Sequence, residues 1–179
     1  MQGVFVVSPN GLGHFKRTLG WLPSLLRAFP DLHLTVAACD WQIERLGTDY
    51  LGHSRVRFQP GITDDAVRWS RNAADYEGRD LLAWTHGLGD WEALHAADFV
   101  VSDNLVEVLR WRPDALLMGS FLWGDILHTA YPQVAAIEAY RAEEARLLQT
   151  YRPPMLCVGD MAMPAVRQQT DAVACPWFA

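Results

Sequence analysis

The chain opens with a group of residues whose types and spacing suit chemistry. Pro9-Asn10-Gly11-Leu12-Gly13 follows the apolar run Val4–Ser8, and His14 comes directly after the glycines with Arg17 three positions on. Glycines let the backbone turn sharply and let a ligand come close to it. A helix that starts there offers unpaired N–H groups and the positive end of its dipole, which suit an anion. His14 then places a titratable imidazole beside an anion site, where it could act as a general base. Its competing role is to cap the helix. Arg17 lies about one turn further and could hold an anionic group, or be a solvated helix charge. Much later in the chain, Asp98-Phe99-Val100-Val101-Ser102 ends in Asp103-Asn104, which puts a carboxylate and an amide at a second strand end.

Elements must exist to position these groups, and the apolar pattern supplies them. It switches repeatedly between short β-like runs and longer helical ones. Strands are predicted at Val4–Ser8, Leu32–Ala38, Arg55–Gln59, Asp98–Ser102 and Ala115–Met118, with a sixth at Met155–Val158. Helices are predicted over His14–Phe29, Trp41–Tyr50 with Asp40 as N-cap, Arg79–Ala96 with a break at Gly87–Gly89, Leu105–Arg112, and Val134–Tyr151. Residues 60–78 are polar and aspartate-rich, and Gly119–Gly124 reads as an apolar loop. Glu143, Glu144 and Arg146 are placed on the solvated side of the last helix, and Asn104 is read as a cap for the helix that follows it.

Alternating strands and helices imply an α/β fold, a Rossmann-like parallel sheet with helices on both faces. Ligands of such sheets sit at the carboxyl ends of the strands. Here those ends carry Asn10–His14, Asp40, Asp103-Asn104 and Ser120–Trp123, so polar groups and an aromatic converge on one edge. Trp123 could stack on a ligand there, or pack in the interior.

Bulk properties exclude several classes. The 179 residues carry a formal net charge of −6, which disfavours nucleic acid as the main partner. Three cysteines at Cys39, Cys157 and Cys175 are too few and too scattered for a disulfide framework or a zinc knuckle. The remaining histidines, His33, His53, His86, His95 and His128, show no metal-ligand spacing, so no metal is expected. No stretch approaches the ~20 apolar residues of a membrane span, and the N-terminus lacks the features of a signal peptide. A cytoplasmic location is expected.

Two nucleotide-loop patterns bear on this glycine turn. The dinucleotide fingerprint G-x-G-x-x-G finds Gly11 and Gly13 but meets Lys16 at the third position, although Asp40 could take ribose hydroxyls. The phosphate-loop pattern with its Lys-Ser/Thr ending is absent. Gly11-Leu12-Gly13-His14-Phe15-Lys16-Arg17 instead resembles the G-x-G-H-x-x-R start of the acceptor-side, N-terminal domain of GT-B glycosyltransferases, the superfamily of UDP-glycosyltransferases and MurG-like enzymes. Asp98–Asp103 is similar to a second motif, and Gly119-Ser120-Phe121-Leu122-Trp123 is a weaker third.

The resemblance covers about residues 3–160 and implies an inverting, metal-independent glycosyltransferase. His14 would be the general base and Asp103 its partner. Asn10, Gly11, Gly13, Arg17, Asn104 and Trp123 would line the substrate site. No cofactor is implied beyond the nucleotide-sugar donor, and the acceptor bears a hydroxyl. Residues 1–160 would form the acceptor-side domain and 161–179 a tail or the start of an interdomain linker. The second, donor-binding domain of such enzymes has no counterpart in these residues. The chain is therefore expected to be one half of the fold, inactive by itself, with an exposed strand-end edge open to self-association. A nucleotide-sugar hydrolase of the same fold, or a non-catalytic sugar- or partner-binding α/β domain, are the alternatives.

Overall fold

Gly3, Val4, Phe5, Val6 and Val7 pair residue for residue with Phe99, Val100, Val101, Ser102 and Asp103, and this parallel ladder is the centre of the molecule. It belongs to a computed structural model that describes residues 1–156 and the backbone of 157 and 171–174. The strands are β1 (Gln2–Val7), β2 (His33–Ala37), β3 (Val56–Gln59), β4 (Phe99–Asp103), β5 (Leu116–Met118), β6 (Pro154–Cys157) and β7 (Asp171–Ala174). They form one sheet in the order β3-β2-β1-β4-β5-β6-β7, with every pairing parallel. The strand order reverses direction between β1 and β4, so the crevice beyond their carboxyl ends is the switch point of the fold. The architecture is the Rossmann-like single α/β domain read from the sequence.

Side chains alternate between the two faces of the sheet. Phe5, Val7, Leu34, Val36, Val101 and Met118 face one side and pack with Phe15, Leu22 and Leu26 of α1 (Leu12–Ala28) and Ile43 of α2 (Asp40–Leu46). Val4, Val6, Val100, Leu117 and Met155 face the other side. There they meet Leu88 of α3 (Thr85–Gly89), Leu94 of α4 (Glu92–Ala96), the 3-10 turn Val106–Arg110, and Leu147 and Leu148 of α6 (Ala135–Tyr151). A third apolar cluster joins Val67, Tyr76 and Leu81 to Trp123 and Leu127 of α5 (Trp123–Ala130) and to Ile137 and Tyr140 of α6.

Local structure departs from the sequence reading in several places. Of the helix expected over Arg79–Ala96 only Thr85–Gly89 and Glu92–Ala96 are helical, and Gly87–Gly89 falls inside the first of these rather than at the break; the helix expected over Trp41–Tyr50 stops at Leu46 and is followed by a 3-10 turn, Thr48–Tyr50. The predicted helix at Leu105–Arg112 is a tighter 3-10 turn, Val106–Arg110. Gly119–Gly124 is not loop throughout, because α5 begins at Trp123. The N-cap of α2 is Cys39 rather than Asp40; Gln42 Oε1 accepts from the Cys39 backbone N–H at 3.0 Å, closing a capping box. Glu144 is not on the solvated side of α6 but is 1% exposed, since its carboxylate turns inward to accept from the Gly124 N–H at 2.6 Å. A seventh strand, Asp171–Ala174, falls within the segment read as tail, where short-range periodicity gave no signal. Cys175 and the rest of that tail lie outside the described residues.

Candidate functional site

β1 and β4 run side by side, and Val7 and Asp103 are partners at the ends of the two strands. The Ser8 N–H continues the ladder by donating to the Asp103 carbonyl at 3.1 Å. From there the chain turns at Gly11, whose φ of 79° lies in the left-handed region that side chains resist, and enters α1. No side chain caps the start of α1. A Cβ at Gly13 would meet nothing within 4 Å, so its backbone faces open space.

This route brings His14 and Asp103 together. His14 Nδ1 lies 2.8 Å from Asp103 Oδ1 across 89 positions of sequence. An ionised carboxylate can only accept, so Nδ1 carries the proton and Nε2 keeps the free lone pair. Nε2 makes no hydrogen bond to the described residues, and the His14 side chain is 14% exposed. Its ring meets Phe121 edge-on, with centroids 6.4 Å apart. The imidazole is thus held at one nitrogen, walled on one face, and open at the nitrogen that could take a proton.

Asp103 is fully buried and well supplied with donors. Arg17 reaches it with both Nε, at 3.2 Å from Oδ2, and Nη2, at Oδ1. Thr18 adds a longer bond from Oγ1 to Oδ2 at 3.4 Å. Arg17 is therefore neither a free anion-binding charge nor a solvated one; its guanidinium is committed to the carboxylate that orients His14. Arginine suits this because its planar fork grips both oxygens. With the Nδ1 proton pointing at Asp103, the 3.3 Å approach of Arg17 Nη2 to that nitrogen is proximity without a hydrogen bond.

The other predicted site residues divide by role. Asn10 braces the loop: its amide donates to the Val67 carbonyl at 2.7 Å and accepts from the Trp69 N–H at 2.7 Å. Asn104 adopts φ 62°, and Leu105 rather than Asn104 occupies the cap of the turn after β4. With its amide oriented to satisfy both neighbours, Asn104 donates to the Phe121 carbonyl (2.9 Å) and accepts from Trp123 Nε1 (3.1 Å). Trp123 is 7% exposed, edge-on to Phe121 with centroids 5.0 Å apart. Its indole is interior packing and is not free to stack on a ligand. Asn104 and Trp123 therefore shape the site from behind by fixing the loop that carries Phe121.

Gln42 was not singled out in the sequence, yet it is fully buried and donates to the Ser8 carbonyl (3.0 Å) and the Gly11 carbonyl (2.8 Å). Its place at the third position of α2, after a chain break in periodicity, is the only local signal for that role. Cys39, next to it, is buried, and burial together with the neighbouring Asp64 pushes its thiol up to about 11, which makes it a poor nucleophile. No group of His, Cys, Asp and Glu among the described residues is arranged to hold a metal ion. No helix among them is long and apolar enough to cross a membrane.

No family model matches this chain, and no curated protein sequence matches it.

Proposed function

We propose that this chain is the acceptor-binding half of an inverting, metal-independent glycosyltransferase that uses a nucleotide-activated sugar. The observation that carries the reading is the His14–Asp103 hydrogen bond at the switch point, with Nε2 left open beside a glycine turn. In the reaction, His14 Nε2 takes the proton of an acceptor hydroxyl. The oxygen attacks the anomeric carbon of the sugar from the face opposite the leaving group. The bond from that carbon to the phosphate oxygen breaks, and the nucleoside diphosphate departs with the electron pair. Asp103 keeps the Nδ1–H tautomer in place throughout. The uncapped N–H groups at the start of α1 suit the developing phosphate charge. Most contacts to the nucleotide fall to a second domain in this reading.

A hydrolase would use the same geometry with water in place of the acceptor. The distinguishing experiment incubates the full-length protein with nucleotide-sugars and follows nucleotide release with and without hydroxyl acceptors. Release that requires an acceptor and yields a glycoside supports the transferase. Release in water alone assigns a hydrolase. No release with any donor removes the enzymatic reading and leaves a binding domain.

A further inference from the structure

Phe121, the wall of the His14 ring, comes just before α5, and α6 grips the first turn of α5 twice. Arg141 Nε donates to Asp125 Oδ1 at 2.8 Å, and Glu144 Oε2, one turn further along α6, accepts from the Gly124 N–H at 2.6 Å. The Trp123 backbone amide faces the same carboxyl. Leu122 stands at the N-cap of α5 and has no side-chain acceptor for the first N–H groups, so Glu144 supplies one from another element. Glycine at 124 makes the close approach possible, because a Cβ there would run into Glu144 Oε2 and the Arg141 backbone.

This grip is more than packing requires. Glu144 is buried, and its Oε1 has no hydrogen-bond partner among the described residues. Glu107, from the turn after β4, and Asp125, from α5, both bring like charge toward it, and Tyr140 lies one turn before it on α6. The neighbouring cations are paired elsewhere, Arg141 with Asp125 and Arg110 with Glu143. Burial and the charge of Glu107 favour the protonated form of Glu144. An apolar side chain would fill the same space without that desolvation, but it could not hold the Gly124 N–H. From the opposite side, Asn104 holds the Phe121 carbonyl at 2.9 Å and the Trp123 indole at 3.1 Å. Phe121 lies edge-on to Trp123 and to His14, with centroids 5.0 Å and 6.4 Å away. The contacts run unbroken from Glu144 to the imidazole.

We propose that Glu144 is a positioning residue for His14: by holding the Gly124 N–H it seats the Phe121 ring against the imidazole. Asp103 sets the tautomer of His14 through one hydrogen bond at Nδ1. A ring held at one atom can still tilt about that bond, and the Phe121 edge stops the tilt and fixes where Nε2 points. The consequence for turnover rests on the glycosyltransferase reading; the seating of the ring does not.

The test is NMR of the full-length protein isotopically labelled in histidine only, with the His14 signals identified by their loss in His14→Ala. An aromatic edge shifts the resonances of a neighbouring ring, so the difference between the unmodified protein and Phe121→Leu measures the contact. Glu144→Ala is expected to lose that difference. Glu144→Gln is expected to keep it, because its amide oxygen still accepts from Gly124. Val56→Ala, which thins the core at the distant strand β3, is expected to keep it too, and so separates lost position from lost stability. Should Glu144→Ala fail to fold, Glu144→Asp takes its place, since the shorter side chain withdraws the acceptor from Gly124. His14 signals that match the unmodified protein in the folded Ala or Asp variant would overturn the proposal, as would signals that do not respond to Phe121→Leu. In turnover, Glu144→Ala is expected to lower kcat by up to about 10²-fold with KM little changed, the mark of a misplaced catalytic group. Displaced His14 signals in Glu144→Ala, when the unmodified protein transfers no sugar, would uphold the positioning role and sink the transferase reading.

Discussion

His14 Nδ1 and Asp103 Oδ1 lie 2.8 Å apart because His14 follows β1 by one glycine turn and Asp103 is the last residue of the neighbouring parallel β4, in register with Val7 at the end of β1. A shift of the β1–β4 register by one residue would turn Asp103 to the opposite face and break the pair. The dyad is thus a product of the sheet, with α1 supplying only the last turn.

If the proposed glycosyltransferase reading holds, replacing His14 by alanine is expected to lower kcat by about 10²–10⁴, the usual range for a lost general base. KM should change little, because the group acts on the developing transition state. Steady-state kinetics of the variant provide the check. A near-normal kcat with a raised KM would make His14 a binding residue.

Asp103→Asn is expected to lower kcat by no more than His14→Ala does, since the imidazole remains but can sit in the wrong tautomer. Arg17→Ala acts differently. It strips the buried carboxylate of a bidentate partner and leaves His14 and Thr18 as its donors among the described residues. A loss of about 3 kcal/mol of stability is expected, as when one partner of a buried ion pair is removed. Denaturant unfolding measures it, and Arg17→Lys should restore only part because it cannot grip both oxygens. Unchanged stability in Arg17→Ala would contradict the structural role.

Gly119→Ala is expected to destabilise the protein by about 1–3 kcal/mol, the usual cost of forcing bulk into a packed site. A Cβ at Gly119 would run into the Asn104 amide, which ties the Phe121–Trp123 loop. The same variant should lower kcat, because Phe121 walls the His14 ring. Thermal unfolding and kinetics together test this; a variant of unchanged melting temperature would show that Asn104 can move aside.

Stability should fall as the pH rises through and above the ordinary carboxylate range, in the part set by Glu107 and Glu144. Both are buried, and burial pushes both carboxyls up, with the charge of Glu107 adding to the shift at Glu144. The folded state then holds protons that the unfolded chain releases, so each unit of pH in that window favours unfolding. Tyr140 Oη donates to Glu107 Oε1 at 2.7 Å, while Glu107 Oε2 and Glu144 Oε1 find no hydrogen-bond partner among the described residues. Glu144→Gln mimics the protonated form and still accepts from Gly124. Its melting temperature is expected to fall less than that of the unmodified protein as the pH rises above the ordinary carboxylate range. Glu143 works in the opposite sense: hydrogen bonds from Arg146 and Arg110 hold it at about 2, so its contribution is present above the unfolded carboxylate range and lost as pH falls toward 2. A pH slope unaltered in Glu144→Gln would show that the buried carboxyl carries no linkage.

Some of this was legible in the amino-acid order. The alternation of Val4–Ser8, Leu32–Ala38 and Asp98–Ser102 with amphipathic helices determined a parallel α/β sheet, because hydrophobic period and chain direction are local properties. The glycine turn before His14, and Asp103 after an apolar run, could be placed at strand ends for the same reason. Tertiary structure alone decided the rest. Arg17 stands one turn from His14 in any helix, but only the packing of α1 against β4 commits it to Asp103. Trp123 reads as a ligand platform or, more often for a tryptophan in an apolar loop, as core, and the Asn104 bond to its indole settles it inside. Glu144 has the look of a solvated helix charge between Glu143 and Arg146, yet it is drawn inward by the free N–H of Gly124, twenty residues earlier. Helical period specifies which residues share a face. It does not specify what that face meets, and a buried polar group goes wherever the fold leaves a partner for it.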